Sequence, residues 1–141
     1  MLLVISAPSG CGKTTMVRRL LASDPELIYS VSYTTRPPRT GEREGVDYHF
    51  VMRAAFDDLV REGAFAEWAE VHGCCYATSA RAIDAAAAQG RDIVCDIDVQ
   101  GARQVRASGR DAVSVFILPP DYASLAERLK RRGSEDPAAV A

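Results

Sequence analysis

Residues 6–15 read Ser-Ala-Pro-Ser-Gly-Cys-Gly-Lys-Thr-Thr, and their surroundings decide the fold. An apolar run, Leu2, Leu3, Val4 and Ile5, precedes them, and a helical pattern, Met16, Val17, Leu20 and Leu21, follows. A strand, a Gly-rich turn and a helix in that order are the context a phosphate-cradling P-loop requires. Gly10 and Gly12 let the backbone curl so that its N–H groups point inward at phosphate oxygens, and the helix adds the positive end of its dipole. Ala7, Pro8, Ser9, Gly10, Cys11, Gly12, Lys13, Thr14 and Thr15 would then wrap a nucleoside triphosphate. Lys13 has the reach for the β- and γ-phosphates, and Thr14 offers a hydroxyl to Mg²⁺. The usual pattern opens with Gly, and here that position is Ala7.

A P-loop says only that a triphosphate binds. The segment from Ser30 to Phe50, SVSYTTRPPRTGEREGVDYHF, narrows the chemistry. Tyr29 to Thr35 is β-branched and aromatic, which predicts a strand. Pro37, Pro38, Gly41 and Gly45 then force a loop. Arg36 and Arg39 flank a stiff Pro-Pro unit, and two guanidinium forks held close suit a phosphate monoester. Tyr48 adds a hydroxyl donor. Charge pattern alone leaves equally open a solvated turn whose arginines pair with Glu42, Glu44 and Asp47.

Asp96 and Asp98 follow the apolar strand Asp92-Ile93-Val94-Cys95. Carboxylates at the carboxyl end of a buried parallel strand stand where α/β folds bind ligands. The competing reading is a loop start with a helix N-cap.

Composition fits one soluble domain. The chain has 141 residues, 48% apolar and 26% charged, ordinary values for a globular protein with a sizeable core. A net charge of -2 argues against a general nucleic-acid binder. No apolar run is long enough to cross a membrane. The start lacks the basic region of a signal peptide. Cys11, Cys74, Cys75 and Cys95 show neither zinc-site nor disulfide-framework spacing, and reduced thiols in a cytoplasmic protein fit best. Cys11 reads as a small filler. His49 and His72 read as strand or turn residues without a catalytic role.

Strands and helices alternate after the P-loop unit. Arg53–Glu62 predicts a helix stopped by Gly63, with Phe56, Leu59 and Val60 on one face. Phe65–Val71 and Tyr76–Thr78 predict strands joined around His72-Gly73. Ser79 caps an alanine-rich helix ending at Gly90. Asp92–Asp96 and Val113–Leu118 predict core strands around a helix over Val99–Ala107. Tyr122–Arg132 predicts the last helix. The result is a parallel α/β core with a small antiparallel insertion.

These motifs together resemble those of guanylate kinase, the family that moves the γ-phosphoryl of ATP onto GMP. An Ala-Pro-Ser-Gly opening occurs in that family's P-loop, so Ala7 fits. The segment Ser30–Phe50 is similar to the family's GMP-binding signature almost throughout. Further similarities are Phe65–Val71, Tyr76–Ser79, Asp96-Ile97-Asp98-Val99-Gln100-Gly101-Ala102 and Phe116–Pro120. The resemblance implies a P-loop NTPase fold of the nucleoside monophosphate kinase type. Its core would be residues 1–32 and 82–125, its GMP-binding insertion about 33–81 and the start of a lid about 126–141. It also implies that Arg36, Arg39, Tyr48 and Tyr76 hold the GMP phosphate. Ser32, Glu67, Thr78 and Asp98 would line the guanine pocket. Asp96, with Thr14, would organise Mg²⁺. Lys13, Arg36, Arg128 and Arg132 would stabilise charge on the transferred group.

Guanine offers donors at N1 and N2, which one carboxylate such as Glu67 can accept together. Adenine would leave that carboxylate unpaired. Without the resemblance, Glu67 reads as a surface charge on a strand. The sequence leaves oligomeric state open.

Members of the family continue past Ala141, so the chain is expected to stop inside the lid. The GMP pocket is then expected to be encoded in full, with ATP binding and turnover impaired. The neighbour of a missing edge strand, Val113–Leu118, is expected to carry an uncovered apolar face. Two rival functions are a non-catalytic guanylate-kinase-like module and a P-loop kinase for another phosphorylated acceptor. Retention of Lys13, Thr14 and Gly12 weighs against the first, and Glu67 with Thr78 against the second.

Overall fold

The computed structural model describes residues 1–8, 11–121 and 125. In chain order the elements are β1 (Leu2–Ser6), α1 (Lys13–Ser23), β2 (Ile28–Tyr29), β3 (Tyr33–Thr34), β4 (His49–Phe50) and α2 (Arg53–Arg61). They continue as β5 (Phe65–Val71), β6 (Cys74–Ser79), α3 (Ala80–Ala88), β7 (Ile93–Ile97), α4 (Val99–Ala107) and β8 (Ala112–Phe116).

One sheet is parallel, in the order β2-β7-β1-β8. Its central strands are apolar on both faces because both faces are covered. Leu2 and Val4 of β1, with Ile93, Cys95 and Ile97 of β7, pack against Ile83 and Ala86 of α3 and Ala102 and Val105 of α4. Ile5 and Val94 point the other way, against Val17 of α1, with Leu20, Leu21 and Tyr29 around them. Alternation along β7 therefore sends Asp96 to the α1 side, the side of Tyr29. From β1 the chain crosses to β2 on one flank, and from β7 it crosses over β1 to β8 on the other. The carboxyl ends of β1 and β7 thus diverge at a switch point, where open α/β sheets bind ligands.

The second sheet is mixed, in the order β4-β3-β6-β5, with β3 parallel to β4 and antiparallel to β6. Its apolar side packs Phe56 of α2 with Cys75, Ala77, Tyr33 and Phe65. Strands β5 and β6 form a hairpin through His72 (φ 50°) and Gly73 (φ 75°), two left-handed residues as a tight hairpin turn needs. The strand expected over Tyr29–Thr35 is two strands. The chain leaves the parallel sheet after Tyr29 and enters the mixed sheet at Tyr33, so β propensity alone ran two sheets together.

Helix ends follow the expected chemistry. Ser79 Oγ accepts from the Ala82 N–H at 3.2 Å, and Asp98 Oδ1 accepts from the Gly101 N–H at 2.8 Å. Asp98 is thus an N-cap, as the structural alternative for the Asp pair required. Strand β8 forms close to its expected place but is not a core strand. It has one neighbour among the described residues, and Val113, Val115, Phe116 and Leu118 are exposed. The helix expected over Tyr122–Arg132 lies outside the described residues apart from Leu125.

Candidate active site

The switch point carries the P-loop on β1 and the acidic pair on β7. Ser6 ends β1, Ala7 and Cys11 are buried, and Gly12 takes the left-handed conformation (φ 84°) that starts α1. Ser9 and Gly10 lie outside the described residues. Lys13, in the first turn of α1, donates from Nζ to the Ile97 carbonyl at 3.2 Å. The P-loop lysine thus spans from α1 to the end of β7. Its charge also acts on Asp96 and on Glu67, lowering both toward ionisation.

Asp96 accepts from the Tyr29 hydroxyl at 2.9 Å. Burial pushes the Asp96 carboxyl above its ordinary value, and Lys13 and Tyr29 work against that push. The Tyr29 phenol is pushed far up by its own burial and by Asp96, so it stays a donor. Removing this donor with Tyr29→Phe is expected to cost about 1–2 kcal/mol of stability at neutral pH, read by urea unfolding. An unchanged midpoint would mean that solvent replaces the phenol.

Between the two sheets lies a cavity of about 220 Å³. Lys13, Ser32, Tyr48, Glu67, Tyr76, Asp96 and Asp98 all line it. Glu67 is only 4% exposed. It is no surface charge, because β5 turns it inward beside buried Ala69 while Trp68 and Glu70 face out. Thr78, directly opposite on β6, donates its hydroxyl to Glu67 Oε1 at 2.5 Å. Burial pushes Glu67 up to about 7, the Thr78 bond and Lys13 pull it down, and Asp98 adds to the rise. Such a group is poised to pair with a ligand that brings its own donors.

A second, wider cleft adjoins the cavity and is lined by Thr14, Tyr29, Arg36, Arg39, Tyr48, Tyr76 and Asp96 among others. Arg36 lies over the Tyr48 ring, 5.4 Å from its centroid, and the Tyr48 and Tyr76 rings meet edge to face at 6.1 Å. Arg36 Nη2 donates to both Glu42 oxygens, at 2.8 and 3.0 Å, and Glu42 also accepts from the Arg39 N–H at 2.7 Å. The reading of the loop as a turn with paired arginines therefore holds in part. Arg36 pairs with Glu42, and it does so in the cleft beside the tyrosines. Glu44 and Asp47 are used differently: Glu44 accepts from the Phe50 N–H, and Asp47 accepts from the Arg43 N–H.

Thr14 and Asp96 offer a hydroxyl and a carboxylate to this cleft, hard oxygen donors of the kind Mg²⁺ takes. No group of three or more His, Cys, Asp or Glu could hold a metal among the described residues. That donor set fits Mg²⁺ carried on nucleotide phosphates, with water completing its shell.

The sequence profile described as guanylate kinase matches residues 1–141. The chain belongs to the guanylate kinase family. It is 57% identical over 134 residues to the guanylate kinase of Aromatoleum aromaticum, covering 95% of this chain and 66% of that protein. It is 49% identical over 140 residues to that of Syntrophotalea carbinolica, covering 99% and 67%. The crystal structure of guanylate kinase from Anaplasma phagocytophilum superposes with a TM-score of 0.80 at 38% identity, over 91% of this chain and 65% of that one. The chain thus spans about two thirds of the length of these guanylate kinases. The fold is that of the P-loop NTPases.

Of the residues expected in a guanylate kinase site, Arg128 and Arg132 lie outside the described residues. Sequence reasoning missed Tyr29 as the partner of Asp96. It also missed Gln104 of α4. Gln104 Nε2 donates to the Trp68 carbonyl at 2.6 Å, and its Oε1 accepts from the Trp68 N–H at 3.2 Å. A side-chain amide thereby pairs with β5 as another strand would, one residue from Glu67.

Proposed function

We propose that this chain binds GMP in the cavity between the sheets and accepts ATP at the P-loop, transferring the γ-phosphoryl group to give GDP and ADP. The observation that carries the reading is the buried Glu67–Thr78 pair facing Lys13 and Asp96 across one cavity. In this reading Glu67 accepts from guanine N1 and N2, with Ser32, Thr78 and Asp98 around the base. Arg36, Arg39, Tyr48 and Tyr76 hold the 5′-phosphate in the adjoining cleft. Glu42 keeps the Arg36 fork in place before GMP arrives.

Transfer needs an acceptor oxygen in line with the γ-phosphate and compensation of the charge that develops between them. Tyr48 and Tyr76 orient the acceptor end, and Lys13 brings a cation to the donor end. Asp96, steadied by Tyr29, would hold the metal's water shell together with Thr14. Mg²⁺ carried with ATP supplies charge neutralisation between the phosphates. No covalent intermediate is required. We propose residues 1–32 and 82–125 as the phosphate-donor core and about 33–81 as the acceptor-binding insertion. No described helix is long and apolar enough to cross a membrane.

The test is a nucleotide panel on the purified chain. With ATP and Mg²⁺, ADP should form when GMP is present and not with AMP or UMP. In calorimetry GMP should bind at least about 100-fold more tightly than AMP, since adenine leaves Glu67 unpaired. Equal binding of GMP and AMP would overturn the assignment of the cavity.

A further inference from the structure

Glycine in a helix costs about 0.5–1 kcal/mol against alanine, so a buried helical glycine needs a reason. Gly101 sits in the first turn of α4, is buried and has no positive φ, so backbone geometry does not demand it. The reason is on the neighbouring strand. A Cβ built at Gly101 would overlap the Glu67 carboxylate, lying 2.8 Å from its Cδ and closer still to Oε2. No other glycine among the described residues meets a side chain this closely; Gly45, the next, has 3.8 Å to His49.

Two α4 residues, three and six positions after the N-cap Asp98, meet the same strand. Asp98 caps the helix through the Gly101 N–H, Gly101 clears space for the Glu67 carboxylate, and Gln104 pins the Trp68 backbone. Thr78 closes the other side of the carboxylate. The carboxylate is thus held between a hydroxyl and a bare stretch of helix. Its direction into the cavity depends on that bareness.

We propose that Gly101 is a specificity-determining residue for the purine base, acting by leaving the space in which Glu67 can point at the two donors of guanine. The proposal rests on reading the cavity as the guanine pocket. Gly101 does not itself line the cavity, so a methyl group there acts on Glu67. It would move the Glu67 carboxylate off the Thr78 hydroxyl and away from the 2-amino group.

The test compares GMP with IMP, which lacks the 2-amino group, by calorimetry on the wild-type chain and on Gly101→Ala. The wild type should prefer GMP by about tenfold or more, the value of one well-made hydrogen bond to a buried charge. Gly101→Ala should reduce that preference to less than about threefold while its melting temperature falls only modestly, because the helix preference of alanine offsets part of the lost Thr78 bond. In a Glu67→Ala background the overlap is gone, and adding Gly101→Ala should leave GMP affinity unchanged within about twofold. A Gly101→Ala chain that keeps the full GMP preference overturns the proposal while leaving the guanine pocket intact. A wild type with no preference for GMP overturns the pocket reading, and the proposal with it. Should Gly101→Ala fail to fold, the Glu67→Ala pair decides. Equal GMP affinity with and without the added methyl supports the proposal, and a further tenfold loss overturns it.

Discussion

Lys13→Met should lower the rate of ADP formation with GMP by about 10³-fold or more, the scale lost with one charged or dipolar stabiliser of a transferring group. Methionine keeps the length of the stem and its packing and removes the charge. The ammonium it replaces reaches across the switch point to the Ile97 carbonyl, with Asp96 and Glu67 both within its field. Once ATP is bound, the phosphates are the better partner for that cation. The bond to Ile97 marks where the lysine waits. GMP affinity should fall far less, because no acceptor contact passes through Lys13. It should fall somewhat near neutral pH, since loss of the cation raises Glu67 further and makes it harder to ionise. Lys13→Arg should not restore the rate, because a planar fork cannot replace a compact point charge at a tight turn. Steady-state rates with separately measured GMP affinities check this. A Lys13→Met chain that loses GMP binding and turnover in equal proportion would place the lysine in acceptor binding instead.

What was legible in the sequence follows from how local each signal is. The P-loop context was readable because strand, turn and helix adjoin within about twenty residues. The cap at Ser79, the glycine stops and the hairpin at His72-Gly73 were readable for the same reason. Inward-facing Glu67 was not. Alternation along β5 puts Phe65 and Glu67 on one face, yet Phe65 packs on Phe56 while Glu67 lines the cavity. A register shift between them, pairing Phe65 with Ser79 and Glu67 with Thr78, turns the strand over. No residue type in Phe-Ala-Glu announces that bulge. The break between Tyr29 and Tyr33 was hidden because β-branched and aromatic residues suit either sheet. Tyr29 as a partner of Asp96, and Gly101 as room for Glu67, are contacts between residues 67 and 34 positions apart in the chain. The family resemblance supplied the expectation for Glu67 that periodicity could not.

Glu67→Gln should weaken GMP binding by about 100-fold at pH 8, because the amide keeps one acceptor and turns a donor toward a donor on the base. The same substitution should make the free protein more stable there. The folded chain holds Glu67 at about 7 against an ordinary 4.5. Between those values the folded state binds more protons than the unfolded one, so stability falls as pH rises from 4.5 and levels off above 7. The cost of ionising this buried group at pH 8 is roughly 3 kcal/mol, and glutamine does not incur it. The stability advantage of Glu67→Gln should therefore be small at pH 5 and grow to roughly 3 kcal/mol at pH 8. Binding runs the other way. Guanine needs the ionised carboxylate, so wild-type GMP affinity should climb about tenfold per pH unit below 7 and flatten above it, and the deficit of the variant should shrink toward acid pH. Ionisation of the GMP phosphate affects both chains alike and cancels in their ratio. Urea unfolding and GMP calorimetry at pH 5.5, 7 and 8 test both halves. A wild-type to variant affinity ratio that does not change with pH would mean that Glu67 is already ionised when the base arrives. A stability difference that does not grow with pH would mean that its carboxylate is solvated in the free chain. In the proposed complex a carboxylate that burial keeps unstable in the free chain would be satisfied by the two donors of guanine and left unpaired by adenine, which would tie specificity to stability at one residue.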